Sequence, residues 1–88
     1  MLDTETKMKQ NPYSWNLRAN VLYIENPAGV GFSLAGEDDD WLHSDYSTSL
    51  DLIEALKDFY TNFPTLVNND LYVSGESYAG IYVPYLTW

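Results

Sequence analysis

The fold of this chain is decided by one stretch, Leu71-Tyr-Val-Ser-Gly-Glu-Ser-Tyr-Ala-Gly80. A short apolar run leads directly into small residues around a single serine, Ser77, and an apolar segment follows it. A buried strand, a tight turn that carries a serine and then a helix are the pattern of a nucleophile elbow. The free N–H groups and the dipole at the start of a helix favour negative charge there. The pattern therefore predicts that Ser77 is a nucleophile.

Two short apolar runs predict strands. Val21–Glu25 and Leu71–Val73 are apolar without alternation, which is typical of strands covered on both faces of a parallel sheet. A glycine-bearing loop at 27–33 follows the first run. Gly29 and Gly31 match only the first two positions of a dinucleotide-binding G-x-G-x-x-G motif. The loop is therefore interpreted as a tight backbone excursion that only glycine permits.

The segment between the two runs predicts a helix. It is expected to begin at Ser47 or Thr48 and to continue to about Asn62, because Pro64 ends it. Thr48 and Asp51 approximate a capping box at its start. Apolar residues recur every three or four positions, as one face of a helix requires. The predicted face consists of Leu50, Ile53, Leu56, Phe59 or Tyr60, and Phe63.

The order of these elements is strand, loop, helix, strand, elbow and helix. A helix between two apolar strands implies a right-handed crossover and a parallel strand pair, so the fold class is α/β. Two strands are not a stable sheet, so residues 1–88 are interpreted as part of one larger α/β domain, with no second domain. Asn11-Pro12 predicts a turn, followed by Trp15 as an aromatic anchor. Tyr78 to Trp88 are interpreted as the start of a second helix, which Pro84 is expected to kink or shorten.

Composition excludes several classes of function. The 88 residues carry a net charge of −9 with only four Lys and Arg, so a nucleic acid is a poor partner. With no Cys and one His, neither a disulfide framework nor a Cys/His metal site can form. No apolar run is long enough to span a membrane, and the first ten residues do not form a secretory signal. The acidic run Glu37–Asp40 is interpreted as a solvated loop. Oligomeric state is left open.

Four blocks together resemble one family, the serine carboxypeptidases of the carboxypeptidase Y-like branch of the α/β-hydrolases. They are Asn11–Asn16, Pro27–Ser33, Phe63–Pro64 and Val73–Gly80, in that order, and the resemblance covers residues 11–86. Ala79 stands where the general hydrolase elbow has glycine, and the carboxypeptidase family is similar in using alanine there. The resemblance implies a fragment of the α/β-hydrolase fold.

The resemblance also implies residue roles. Ser77 would form an acyl-enzyme, and the backbone N–H of Tyr78 would donate to the oxyanion. Glu76 would bind the C-terminal carboxylate of the substrate in protonated form, sharing a proton with a second acid. The implied substrate is a peptide or protein with a free C-terminus, no metal or organic cofactor is implied, and the implied location is the vacuole or lysosome, or outside the cell.

The catalytic partners of the serine are not found in this sequence. The triad acid and histidine of this fold follow the nucleophile, whereas His43, Asp45 and Asp70 all precede Ser77. The Gly-Gly-Pro-Gly stretch that supplies the family's other oxyanion donor is also absent. The isolated chain is therefore expected to be inactive. Two alternatives stay open: a serine carboxypeptidase-like acyltransferase, and a non-catalytic truncated remnant.

Overall fold

A computed structural model describes residues 7–36 and 43–88. In these ranges the chain forms two α-helices, α1 (Asp45–Asn62) and α2 (Ala79–Thr87), which contact each other. Short 3₁₀ turns occur at Trp15–Leu17 and Pro64–Leu66. The acidic run at 37–40 lies outside the described residues. No helix in the described ranges has the length and apolar character needed to cross a membrane.

Helix α1 begins with a reciprocal serine cap. The Ser44 side chain accepts a hydrogen bond from the Ser47 N–H at 3.1 Å, and the Ser47 hydroxyl accepts one from the Ser44 N–H at 2.8 Å. The helix therefore starts at Asp45, earlier than the sequence predicted, and the predicted cap formed by Thr48 and Asp51 is wrong. Ser44 and Ser47 provide acceptors for backbone N–H groups that would otherwise lack partners. Such a cap typically stabilises a helix by about 1 kcal/mol.

The C-terminal end of α1 agrees with the prediction, and its predicted buried face is confirmed in part, since Ile53, Leu56, Phe59 and Tyr60 are half-buried. The helix ends at Asn62, and the next peptide N–H, of Phe63, donates to the Phe59 carbonyl at 2.8 Å. The buried hydrophobic residue is Leu52, which is 6% exposed, while the predicted face residues Leu50 and Phe63 are exposed. The buried face is rotated toward small polar residues, since Leu52 is joined there by Thr48 and Ser49.

Helix α2 begins within one residue of its predicted start. Pro84 is accommodated inside it, three residues before the last helical residue, Thr87. A proline has no N–H, so the carbonyl of Gly80 loses its intrahelical donor. The helix continues through Tyr85 to Thr87 after this proline, so Pro84 does not end it.

Neither predicted strand is formed in the described residues, so the parallel strand pair is not observed. The runs 21–25 and 71–73 have no ladder of hydrogen bonds, and Tyr72 is 87% exposed. A β-strand exists through hydrogen bonds to a neighbouring strand, and neither run provides a partner for the other. Leu71 and Val73 instead line a groove with residues of the two helices, which are Ile53, Leu56, Lys57, Tyr60, Leu86 and Thr87.

The turn predicted near the start of the chain is confirmed, but its aromatic anchor is not. The Asn11 side chain accepts a hydrogen bond from the Tyr13 N–H at 3.0 Å, which closes the turn. Trp15 follows as predicted, yet it is 78% exposed. An exposed indole buries little apolar surface, so Trp15 does not anchor this segment.

Candidate active site

Ser77 lies in a sharp, left-handed turn. Its φ angle is 59°, and it is the one residue other than glycine with a positive φ in the described part of the chain. This region of backbone space is unfavourable for an L-residue by about 1–2 kcal/mol. The turn is closed by hydrogen bonds from the Ala79 N–H to the Glu76 carbonyl at 3.1 Å and from the Gly80 N–H to the Ser77 carbonyl at 2.9 Å. Ser77 therefore stands where the chain enters α2.

The turn depends on small residues one helical turn apart. A Cβ atom added to Gly75 would overlap the Cβ of Ala79 and would lie 3.5 Å from Cγ2 of Val83. The chain that approaches Ser77 thus passes directly against the first turn of α2. The Ala79 methyl group fits in this space because Gly75 has no side chain.

The backbone after Ser77 presents an N–H group outside the helical hydrogen bonds. Among the described residues of this turn, Ala79 is the first whose N–H donates to a backbone carbonyl. The N–H of Tyr78, the residue after the serine, precedes it at the N-terminal end of α2. A helix start combines such donors with the positive end of the helix dipole, so an anion is favoured beside Tyr78.

The Tyr78 side chain connects the turn to α1. Its hydroxyl donates a hydrogen bond to Oδ1 of Asp45 at 2.9 Å, and its ring meets the ring of Tyr82 edge-on at 5.0 Å. The hydrogen bond to Asp45 raises the pKa of Tyr78 above 10.0, with smaller contributions from desolvation and from the charge of the same carboxylate. The phenol therefore keeps its proton, and keeps donating, as the solution becomes alkaline. Sequence reasoning missed this contact, because no pattern in the sequence relates Asp45 to Tyr78.

The other residues considered in the sequence analysis include one predicted site residue, Glu76, and two that were excluded from the triad, Asp70 and His43. Glu76 is exposed beside Ser77, and Asp70 is exposed before the predicted second strand. His43 is exposed, and its Nε2–H donates to the carbonyl of Ala28 at 2.7 Å. Within residues 7–36 and 43–88 no hydrogen bond joins the Ser77 hydroxyl to an imidazole or a carboxylate. The described chain thus presents the serine without a general base.

The glycine-bearing loop is folded around an acid that sequence reasoning did not single out. The Phe32 N–H donates to Oε2 of Glu25 at 2.6 Å, and the Ser33 hydroxyl donates to the Glu25 carbonyl at 2.5 Å. Gly29 and Gly31 have φ angles of 82° and 58°, which confirms the predicted glycine-only excursion. A Cβ on Gly31 would overlap the Glu25 carboxylate. The pattern to look for was an acid at the end of an apolar run just before a glycine loop.

Comparison with known proteins gives one family. A profile described as serine carboxypeptidase matches residues 1–88. The lysosomal protective protein of Mus musculus is 53% identical over 79 residues, which are 90% of this chain and 16% of that protein. Serine carboxypeptidase-like 21 and 34 of Arabidopsis thaliana are 43% and 44% identical, over 86% and 96% of this chain and 15% and 17% of their own lengths. No solved structure gives a significant match.

The chain belongs to the serine carboxypeptidase family. It spans about one sixth of the length of the curated relatives it matches. Membership confirms the family expected from the sequence blocks and implies the α/β-hydrolase fold for the complete domain. The strand topology predicted for these residues stays a prediction, because neither predicted strand is formed among the described residues.

Proposed function

We propose that the protein carrying these residues is a serine-type carboxypeptidase, which hydrolyses C-terminal peptide bonds through an acyl-enzyme on Ser77. The observation that carries the proposal is the left-handed φ of 59° at Ser77, two residues before the start of α2, in a chain of this family. Such strain in a residue other than glycine is found mainly at functional sites, where it exposes a side chain to a substrate. Residues 1–88 form part of one α/β-hydrolase domain, in which 21–25 and 71–73 pair within a larger parallel sheet.

The proposed chemistry has two halves. The Ser77 hydroxyl oxygen bonds to the scissile carbonyl carbon while its proton passes to a histidine base, and the carbonyl oxygen becomes an oxyanion. The N–H of Tyr78 donates to that oxyanion. The C–N bond then breaks, the leaving amino acid takes the proton, and water hydrolyses the ester with the same base. In this fold the base and its orienting acid follow the serine in sequence, so neither role belongs to His43 or Asp45.

Glu76 is proposed to select substrates with a free C-terminus. An ionised carboxylate next to Ser77 would oppose the negative charge that develops on the oxyanion. A protonated Glu76 removes this repulsion and can donate a hydrogen bond to the terminal carboxylate of a peptide. Its exposed position next to Ser77 leaves the side chain accessible to that group. This role implies a low working pH.

The proposed surroundings follow from the same chemistry. A relative named lysosomal protective protein supports an acidic compartment, the lysosome or vacuole, or secretion for this protein. The proposed partner is a peptide or protein with a free C-terminus. The described residues contribute the nucleophile and one oxyanion donor to its site.

The proposal is tested in the full-length protein by Ser77→Ala, with Ser74→Ala as a matched control from the same turn. N-blocked dipeptides with a free C-terminus and their C-terminal amides serve as substrates, and a fluorophosphonate probe labels the nucleophile. We expect Ser77→Ala to abolish labelling and lower kcat by about 10⁴-fold or more, while Ser74→Ala keeps both. Cleavage or labelling that survives Ser77→Ala would overturn the proposal.

Two further readouts define the reaction. Glu76→Gln should raise KM for the free acid more than for the amide and alter the pH profile, and equal effects on both substrates would show that Glu76 does not recognise the carboxylate.

Product analysis in the presence of an alcohol separates hydrolysis from acyl transfer. We expect the free acid and amino acid. An ester formed without peptide cleavage would assign the chain to the acyltransferases instead.

A further inference from the structure

One side-chain contact joins the elbow to α1. The Tyr78 hydroxyl donates to Oδ1 of Asp45 across 33 residues of sequence, at 2.9 Å. Among the described residues it is the one hydrogen bond between side chains that links the two helical regions. We propose that Asp45 is a positioning residue, which holds Tyr78 so that its backbone N–H stays directed at the oxyanion. This inference rests on the proposed function of Ser77.

The anchor is itself held firmly. Asp45 is the first residue of α1, directly after the serine cap at Ser44. Its carbonyl accepts a hydrogen bond from the Ser49 hydroxyl at 2.8 Å. The next two turns of the helix contain the buried residues Thr48 and Leu52. A carboxylate at this position moves with the most buried part of the described chain rather than with a loop.

The turn at Ser77, which this hydrogen bond would hold in place, is strained. Ser77 stays at a φ of 59° only if its neighbours determine its conformation, because other backbone regions are lower in energy. The N–H of Tyr78 belongs to the peptide plane that follows Ser77, so any relaxation of Ser77 rotates that N–H. Tyr78 itself has φ −62° and ψ −20°. Fixing its side chain at the hydroxyl, with Tyr82 against the ring, opposes the rotation from the far end of the residue.

The hydrogen bond from the Tyr78 hydroxyl to Asp45 is suited to holding Tyr78 in place. The phenol donates and an ionised carboxylate accepts, and bonds to charged acceptors are stronger than neutral ones. Asp45 also lies in the first turn of α1, where the helix dipole favours its negative charge. Both effects favour Asp45 as the acceptor for the Tyr78 hydroxyl.

The expected effect lies in the transition state. An oxyanion donor acts on charge that appears only as the tetrahedral intermediate forms, so its misplacement lowers kcat and leaves KM nearly unchanged. Complete loss of one donor typically costs about 10²- to 10³-fold. A donor that is displaced but still present should cost less, and we expect about a tenfold fall in kcat for Asp45→Ala.

The experiment compares Asp45→Ala, Asp45→Asn and Tyr78→Phe in the full-length protein. Asparagine keeps an oxygen that can accept from Tyr78, so Asp45→Asn should recover most of the lost kcat. Tyr78→Phe removes the hydroxyl alone and should match Asp45→Ala. The matched control is Asp51→Ala, which removes an exposed acid from the same helix away from the elbow. Fluorophosphonate titration gives kcat per intact site, so that loss of folded protein does not count as loss of turnover.

Several outcomes would overturn the inference. A kcat for Asp45→Ala within twofold of the wild type, or an equal fall in Asp51→Ala, removes the positioning role. A rise in KM at constant kcat shows substrate contact instead. If Asp45→Ala does not fold, an unchanged kcat in Tyr78→Phe still overturns the inference. Loss of activity in Ser77→Ala with normal Asp45 variants rejects this inference alone, whereas activity that survives Ser77→Ala rejects the proposed function with it.

Discussion

Gly75 and Ala79 occupy one small space, because a Cβ on Gly75 would overlap the Ala79 methyl group at the start of α2. The backbone of Gly75, on the chain entering the elbow, therefore lies directly against the Ala79 side chain of the helix that follows Ser77. The φ of 59° at Ser77 is the conformation that brings these two segments together. The size of residue 75 thus affects the geometry around Ser77, although residue 75 takes no part in the proposed reaction.

Gly75→Ala is expected to damage the site more than the fold. The added methyl group must displace Ala79, which costs about 1–3 kcal/mol as overpacking. A displacement of about 1 Å at the elbow can lower turnover by about 10²-fold. Fluorophosphonate labelling rates and thermal unfolding of the full-length protein measure the two effects.

Gly80→Ala is the matched control for this change. A Cβ on Gly80 meets no atom of the described chain within 4 Å, and alanine is favoured over glycine in a helix by up to about 1 kcal/mol. We expect this variant to label at the wild-type rate. Equal labelling by both glycine variants would show that contact between positions 75 and 79 does not shape the elbow.

The sequence was sufficient where the signal is local. Glycine at positive φ, proline after a helix and the small residues around Ser77 each act through their own backbone, so the loop, the end of α1 and the elbow were predictable. The start of α1 was not, because Ser44 and Ser47 form a cap without the usual glutamate. The contact from Asp45 to Tyr78 was also missed, since it joins residues that no periodicity relates.

The predicted strands show a different limit of prediction from sequence, namely the need for a pairing partner. An apolar run such as Leu71–Val73 has the composition of a buried strand, but composition does not provide a hydrogen-bonding neighbour. In the described residues this run lies beside Ile53 and Leu56 instead. Secondary structure that depends on pairing can be predicted from sequence only together with its partner.

The loop around Glu25 should show a strong coupling between two residues. Gly31→Ala adds a methyl group that overlaps the Glu25 carboxylate, and it also places alanine at a φ of 58°. The steric overlap is removed when Glu25 is replaced by alanine. The backbone strain of alanine at this φ, about 1–2 kcal/mol, remains. In urea unfolding of the full-length protein, Gly31→Ala should therefore destabilise less in a Glu25→Ala background. Additive effects of the two changes would mean that the carboxylate does not fill this space.

Tyr78 should ionise later than an ordinary tyrosine. Its pKa is raised, first by the hydrogen bond to Asp45, so the neutral phenol is favoured in the folded state. The resulting stabilisation is present below the unfolded-state pKa of about 10 and is lost as the pH rises through the higher folded-state pKa. Asp45→Asn should lower the pKa of Tyr78 toward 10.0. Tyrosinate absorbance during alkaline titration, with Tyr78→Phe subtracted to isolate this residue, measures the change, and an unaltered titration in Asp45→Asn contradicts the assignment.

The isolated 88-residue chain is expected neither to unfold cooperatively nor to react. Large side chains that a folded domain would cover are open to solvent, including Phe32, which is 96% exposed, while Leu52 is the buried hydrophobic residue of the described chain. Burial of one leucine contributes about 1.5–3 kcal/mol, far below the entropy of ordering a chain of this length. Without a described base, Ser77 is also a weak nucleophile. Circular dichroism should therefore show a broad, non-cooperative melt that Leu52→Ala does not change, and fluorophosphonate labelling should be no faster than in Ser77→Ala. A sharp transition that Leu52→Ala lowers would show instead that these residues fold around their own core.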